Sequence, residues 1–502
     1  MPASGVSYRS SAATSLALVA TLGGFLFGYD TAVISGAVSS IDANFIAPRH
    51  LSETARDSLS GGTVSSALFG CVLGGLLSGW AANRLGRRGG MILAAAMFLV
   101  SALGAAWPDF GFGPPGSLGA SALGPFVGYR ILGGVGIGLA SMLSPLYIAE
   151  IAPPMLRGRL VSYNQMAIVL GIVGVYFVNW GIARQGDDAW VQSTGWRLML
   201  GSGAIPALVF LLLLLRAPDT PRWLVMKGRH DLARAVLRRV SQEDADGVLA
   251  EIQASLVARS DRMFSFGAAC VFVGLTLSVF QQFVGINAVL YYAPEIFKSM
   301  GTSSDSALMQ TVLVGAVNMA FTLVAILTVD RFGRKPLLVI GGMVMAVAMI
   351  ALGTMFDLGL LGIGALIVIL VYIAGFAMSW GPVVWVLLSE MFPNAIKGKV
   401  LAAAVAAQWL ANLLVSWSFK VLDGSSVLNA NFHHGFAYWL YGAMSLLAVI
   451  FVIRFVPETK GRTLESVGDF WRPRRRLRPD QAPAESPPAP ADRAARPRDT
   501  RP

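Results

Sequence analysis

Apolar runs of about twenty residues, parted by short polar stretches, recur along almost the whole chain. At about 1.5 Å of rise per residue, each run is long enough to cross the hydrocarbon of a bilayer as a helix. The pattern predicts spans at roughly 13–38, 60–82, 90–107, 124–146, 160–183 and 196–216. After a polar segment of about 45 residues, six more follow at roughly 265–298, 307–329, 336–356, 361–388, 400–421 and 436–455. The first run is too long for a cleavable leader and lacks a small-residue cleavage site, so it reads as span 1. The expected fold class is an all-α membrane protein with twelve transmembrane helices.

Loop charges give an orientation. Arg84, Arg87 and Arg88 follow span 2, Arg157 and Arg159 follow span 4, Arg331, Arg334 and Lys335 follow span 8, and Lys397 and Lys399 follow span 10. The central segment is also basic, whereas the alternate loops hold little beyond Arg49, Arg56, Arg184, Lys298 and Lys420. Basic loops stay on the cytoplasmic side, which places both termini there and the protein, multi-pass, in the inner (plasma) membrane. The central DLARAVLRRV stretch reads as short amphipathic helices. Residues 457–502 are rich in proline, arginine and alanine, a composition expected to form a disordered basic tail. The domain boundaries are then 1–216 for one six-helix bundle, 217–263 for a helical linker, 264–456 for the second bundle and 457–502 for the tail.

The halves repeat. Asn83-Arg84-Leu85-Gly86-Arg87-Arg88 is echoed by Asp330-Arg331-Phe332-Gly333-Arg334-Lys335, and Glu150 with Arg157-Gly158-Arg159 by Glu390 with Lys397-Gly398-Lys399. Pro218-Asp219-Thr220 matches Pro457-Glu458-Thr459. Offsets near about 240 residues imply two pseudo-symmetric bundles of six. Glycines and prolines cluster in spans 1, 4, 7 and 10, so every third span is expected to be distorted and to line a path. Arginines at span ends can pair with Glu150 and Glu390 as a two-state latch on the inner face; Arg84, Arg88, Arg157, Arg331, Arg334 and Lys397 are the candidate partners. Topology and lipid anchoring alone would also explain these charges.

The chemistry concentrates in QQFVGINAVLYY, residues 281–292. An unpaired amide in hydrocarbon costs several kcal/mol, so Gln281, Gln282 and Asn287 must face something polar. On an ideal helix they would diverge, but Gly285 could loosen the helix and turn them toward one cavity. Carboxamides both donate and accept, which suits a neutral, hydroxyl-rich ligand; helix–helix adhesion is the competing use. Asp30 and Arg130 are ionisable residues deep in spans 1 and 4, each roughly 9–12 Å from the outer surface, and similar depth permits a pair. An acid that loses its partner in one conformation could carry a proton; a purely structural pair is the alternative.

Composition narrows the field. The chain has 502 residues, is 55% hydrophobic and 13% charged, and has a mean hydropathy of +0.62. The net charge of +11 lies in short loops and a tail, which fits a bilayer surface rather than nucleic acid. Cys71 and Cys270 fall within apolar runs and form no disulfide framework. Gly134-Val-Gly136-Ile-Gly138 sits mid-span with no preceding strand, so close helix packing explains it, and no phosphate-binding loop occurs. His50, His230, His433 and His434 lack metal-ligand spacing; neither a metal, a cofactor nor an enzymatic activity is expected.

The repeated loop motifs, the E-x6-R/K-G-R/K pairs, PDTPR at 218–222, PETKGR at 457–462 and QQ-x-x-G-I-N together resemble the sugar porter family of the major facilitator superfamily. The resemblance runs from about Phe25 to Glu465, and bacterial glucose facilitators and xylose–proton symporters are the nearest in pattern. It implies the major facilitator fold, alternating access and a monosaccharide (a hexose such as glucose, or xylose) bound at midplane. It implies that Gln281, Gln282 and Asn287 bond sugar hydroxyls, and adds Gln165, Asn318, Trp385 and Gln408 to the set. Tyr291 and Tyr292 are gate candidates, with Phe27, Phe376, Trp380 and Trp409 as gate or rim. Ile172 stands where xylose symporters carry glutamine and animal glucose facilitators isoleucine, which favours hexoses. Gly203 stands where xylose symporters carry a glutamate shortly before the span 6 proline, which leaves symport and facilitated diffusion both open. Partners are a monosaccharide, a proton in the symport reading, and lipid; the unit is expected to act as a monomer. A proton-driven drug exporter and a transporter-like sugar sensor are the rival functions.

Overall fold

A computed structural model describes residues 10–114, 117–152, 154–240, 245–257, 263–392, 394–460 and 471. All regular structure among them is helical, and twelve helices are long and apolar enough to cross a membrane. Spans 1 to 6 are Ala12–Gly36, Glu53–Arg84, Gly86–Ala106, Gly119–Ile151, Arg159–Ala183 and Asp188–Arg216. Spans 7 to 12 are Ala268–Ser299, Ser304–Val329, Arg334–Asp357, Ile363–Leu388, Ile396–Gly424 and Phe436–Phe455. Span 2 starts well before its apolar run because Glu53, Thr54, Ala55 and Arg56 continue the helix with exposed polar residues. Hydropathy locates the part of a helix that sits in lipid, not the whole helix.

Spans 1–6 pack into one bundle and spans 7–12 into another, and the two meet where span 2 lies on span 11 and span 5 on span 8. The linker folds as three short helices, Pro221–Met226, His230–Val240 and Ala245–Val257. Trp223, Leu237 and Leu249 form their shared apolar core, and Arg234 pairs with Asp246 at 2.6 Å. These helices and the arginine-rich loops occupy one end of the molecule, the basic face; the opposite end is the far face.

The distorted spans are fewer than the glycine count suggests. Span 7 is broken into Ala268–Phe283 and Ile286–Ser299 at Gly285, whose φ is +92°. Tyr372 donates to the Val284 carbonyl at 2.8 Å, satisfying an acceptor beside the break. Span 10 breaks at Ser379, between Ile363–Met378 and Trp380–Glu390, just ahead of Gly381 and Pro382. Pro382 instead occupies the first turn of the second piece, where it displaces no helical hydrogen bond. Span 1 departs from α geometry only at Val33–Gly36, beyond Gly23, Gly24 and Gly28.

Span 4 corrects the expectation outright, being one helix from Leu123 to Ile151. Its glycines serve close packing: a Cβ on Gly134 would lie 1.8 Å from the Ala67 carbonyl oxygen of span 2. Residues 457–460 are also not a loose tail start, since their side chains and backbone bond the second bundle, as described below. Trp471 is buried, and its indole donates to the Met391 carbonyl at 2.8 Å. The remainder of the expected tail lies outside the described residues.

Candidate substrate-binding site

A cavity of about 100 Å³ lies between the bundles and is lined by Gln165, Gln281, Gln282, Asn287, Asn318, Trp385 and Gln408 together. Spans 1, 5, 7, 8, 10 and 11 supply its wall, and span 4 supplies none of it. The break at Gly285 lets Gln281 and Gln282, at the end of one helix, share the cavity with Asn287, at the start of the next.

The amides are ordered as a chain. Asn287 Nδ2 donates to Gln282 Oε1 at 2.6 Å, Gln282 Nε2 to Gln281 Oε1 at 3.4 Å, and Gln408 Nε2 to the same Gln281 oxygen. Gln281 Nε2 donates to the Trp380 and Gly381 carbonyls at 2.9 and 3.2 Å. Those carbonyls open the second helical piece of span 10, and each has a second lone pair free for the amide beside its helical hydrogen bond. Gln281 thus has both N–H groups and both oxygen lone pairs engaged, which makes it a brace between spans 7, 10 and 11. Gln408 Oε1 is buried and has no partner among the described residues. Gln282 and Asn287 likewise keep capacity for a ligand.

The two gate tyrosines part company. Tyr291 lines the cavity, accepts from Asn412 Nδ2 at 3.4 Å and lies within reach of Thr31. Tyr292 is fully buried in the second bundle, where its hydroxyl donates to the Ser416 carbonyl at 3.3 Å and its ring meets Phe419. Adjacent residues on a helix point about 100° apart, and here that turn carries Tyr292 away from the cavity. Phe27 and Trp409, with ring centroids 5.2 Å apart, close the cavity on another side.

Asp30 and Arg130 are paired, Nη1 to Oδ1 at 3.2 Å, with Nη2 also on the Asp30 carbonyl at 3.2 Å. Both are buried, and neither lines the amide cavity, although Thr31 does.

On the basic face Arg334 pairs with Glu390, both of the expected latch, whereas Glu150 is held by Arg87 rather than by Arg84 or Arg88. Glu150 accepts from Arg87 Nη2 at 2.9 Å and from the Thr220 hydroxyl at 2.6 Å; Arg84 is exposed, and Arg88 donates to the Leu214 and Leu215 carbonyls. Glu390 accepts from Arg334 at 2.8 and 3.0 Å and from the Thr459 hydroxyl at 2.6 Å. Arg331 is exposed over the Phe332 ring, and half-buried Lys397 lies near the Glu390 charge. The Arg157 side chain lies outside the described residues. None of these contacts runs from one bundle to the other: they clasp the first bundle, with Thr220 of the linker, and the second, with Thr459 just beyond it.

A second acid completes each clasp. Asp219 accepts from the Arg87 and Thr220 N–H groups, and Glu458 from those of Arg334, Lys335, Thr459 and Lys460. Burial pushes the Asp219 carboxyl up, against the pull of those N–H groups and of Arg87. Burial also lifts Glu458, but its four N–H donors outweigh it and hold the carboxyl below its ordinary range.

The bonds that do cross between bundles gather toward the far face. Ser39 donates to Glu295, Lys298 Nζ to Ser39 Oγ at 2.9 Å, Tyr176 to the Leu290 carbonyl at 2.8 Å, and Trp417 Nε1 to the Ser58 carbonyl at 3.0 Å. Trp180 Nε1 reaches Asp305 at 3.2 Å. A separate cavity of about 170 Å³ lies among Ser39, Glu295 and Lys298, away from the amides.

Arg87, Thr220 and Thr459, Thr31 and Asn412, and the Ser39–Glu295–Lys298 tie were not singled out from sequence. For Arg87 the signal existed, because the internal repeat aligns it with Arg334. The tie joins residues about 260 positions apart with no motif to mark them.

The model of a family described as sugar (and other) transporter matches residues 16–471. The chain is 54% identical over 476 residues to the D-xylose-proton symporter of Escherichia coli (strain K12), covering 93% of this chain and 97% of that protein. It is 50% identical over 464 residues to the glucose facilitated diffusion protein of Zymomonas mobilis, covering 91% and 97%. The partially occluded inward open structure of the E. coli xylose transporter XylE superposes with a TM-score of 0.82 at 52% identity, covering 90% of this chain and all of that one. The proton:xylose symporter XylE bound to 6-bromo-6-deoxy-D-glucose gives 0.81 at 54% identity, covering 92% and 100%. With two six-helix bundles around a carboxamide-lined cavity, this chain belongs to the sugar porter family of the major facilitator superfamily.

Proposed function

We propose that this chain carries a monosaccharide across the membrane by alternating access, binding it in the cavity where Gln165, Gln282, Asn287, Asn318 and Gln408 converge. The observation that carries the reading is that amides from both bundles line one chamber between them. A pyranose gives up hydration as it enters, and amides can replace both the donors and the acceptors it loses. Trp385 offers an indole face to the apolar side of the ring. Gln281 acts at one remove, holding Gln408 and Gln282 in place.

The coupling reading is proton symport through Asp30, whose carboxylate is buried and held by a single cation, Arg130. Facilitated diffusion is the second reading, favoured by Gly203 in the place of a glutamate. The basic face is cytoplasmic, the membrane is the plasma membrane, and the monomer is the working unit. The bundles, 1–216 and 264–456, rock as rigid bodies about the cavity, with 217–263 as the linker. In the conformation described, the far-face ties close the outer side, and the clasps at Glu150 and Glu390 are intact within their bundles.

A competition panel in proteoliposomes, radiolabelled glucose against xylose, fructose, galactose and mannose, identifies the sugar. Absence of any saturable, competable flux sinks the assignment, as does undiminished flux after Gln281→Leu with Gln282→Leu. Asp30→Asn separates the coupling modes: a symporter loses uphill uptake under a pH gradient while counterflow continues. Accumulation in the unmodified protein that never passes equilibration leaves facilitated diffusion standing.

A further inference from the structure

Four helices of the first bundle converge on Asp30, and one side of that acid is left over after Arg130 has bonded it. The guanidinium takes Oδ1 and the backbone carbonyl, while Oδ2 is buried with no partner among the described residues. The Ser101 hydroxyl of span 3 is in the same position: the residue is 0% exposed and its Oγ has no partner there. Both atoms face Gly133 of span 4. A Cβ on that glycine would lie 2.3 Å from Ser101 Oγ and 3.3 Å from Asp30 Oδ2. Two atoms so placed around one point are less than about 6 Å apart, a gap that one water closes with two hydrogen bonds of about 2.8 Å. Buried polar atoms are very rarely left unpaired, and a single bridging water would satisfy both.

We infer that Ser101, which fills the space Gly133 leaves, is a positioning residue for the proton on Asp30, its hydroxyl donating through one water to Oδ2. Oδ1 is committed to Arg130, so Oδ2 is the oxygen that receives the proton. A donor aimed at Oδ2 favours the charged carboxylate and eases proton release. The inference rests on the reading of Asp30 as the coupling acid. The other titratable groups around it are Arg130, the Cys71 thiol of span 2 and Tyr291 of span 7, which lie within electrostatic reach of one another. Tyr29 is turned to span 6, its hydroxyl 2.7 Å from Ser202, and spans 5 and 6 present Gly171 and Gly203 to it. None of these donates to Oδ2.

The test is the pH profile of proton-driven sugar uptake by the full chain in proteoliposomes, between about pH 5 and pH 9. Ser101→Ala removes only the hydroxyl. It should raise the pH of half-maximal uptake by about one unit, because the carboxylate loses a donor and holds its proton more tightly. Gly133→Ala, whose methyl would displace the Ser101 hydroxyl, should move the midpoint in the same direction. A folded Ser101→Ala protein with the midpoint of the unmodified chain overturns the inference, since a merely structural serine leaves the profile in place. If Asp30→Asn retains uphill uptake, the coupling reading itself fails, and the two failures are told apart.

Discussion

Which arginine holds Glu150 is a matter of a single position, and it decides what a substitution does. Arg87 and Glu150 are 7% and 9% exposed at the side chain, so removing one strands the other as an unpaired buried charge. Breaking such a pair costs about 3–5 kcal/mol. Arg87→Ala should therefore abolish accumulation of folded protein, while Arg84→Ala, at an exposed position, should leave its yield and melting temperature near those of the unmodified chain. Fluorescence size-exclusion chromatography after a heat step reads both; equal losses would show the clasp to be misassigned. The sequence made the acids and the basic motif visible but not the pairing, because Arg84, Arg87 and Arg88 are chemically identical and differ only in where a helix turn aims them. The carboxamides were easier. An amide in an apolar run is costly unless partnered, so Gln281, Gln282 and Asn287 stood out at once. That Gln281 is saturated by its neighbours was not legible, since its acceptors are backbone carbonyls of span 10, about 100 residues away in the chain.

Among the helices, broken and unbroken spans use glycine for opposite ends. Gly285 permits the left-handed turn that divides span 7, whereas Gly134 and Gly138 let the unbroken span 4 lie close against span 2. Composition cannot separate these uses, because both look like glycine in an apolar run, and this is why span 4 was expected to be distorted. Gly285→Ala should be harmful for two reasons. An L-residue pays about 1–2 kcal/mol in that conformation, and the new Cβ would fall 2.4 Å from the Tyr441 ring. Straightening the turn would rotate Asn287 away from Gln282. The expected result is a drop in sugar affinity of about tenfold or more, with protein still inserted, measured by equilibrium binding of labelled sugar. Unchanged affinity would mean that the break does not organise the amides.

At the scale of the whole molecule, polar ties on the far face hold the bundles together. Glu295 and Lys298 side chains are 28% and 33% exposed, so each contact is modest, worth at most about 1 kcal/mol. A two-state transporter must be nearly balanced, and a tie of that size moves the populations by a factor of about five. Ser39→Ala should shift the ensemble toward the state open at the far face, seen as a longer spin-label distance between Asp57→Cys and Ser425→Cys. An unaltered distance distribution would remove the tie from the gating account. The twelve-span plan and the two-bundle repeat were readable because hydropathy and duplicated loops are local signals; the ties between bundles depend on distant partners and were not.

The matched clasps have a further implication. Thr220 and Asp219 finish the first bundle just as Thr459 and Glu458 finish the second, so each half of the chain brings its own fastening. A polypeptide severed between Val257 and Met263 would keep the three linker helices and the first clasp on one piece and the second clasp on the other, and two co-expressed fragments should find each other in the bilayer and recover sugar uptake.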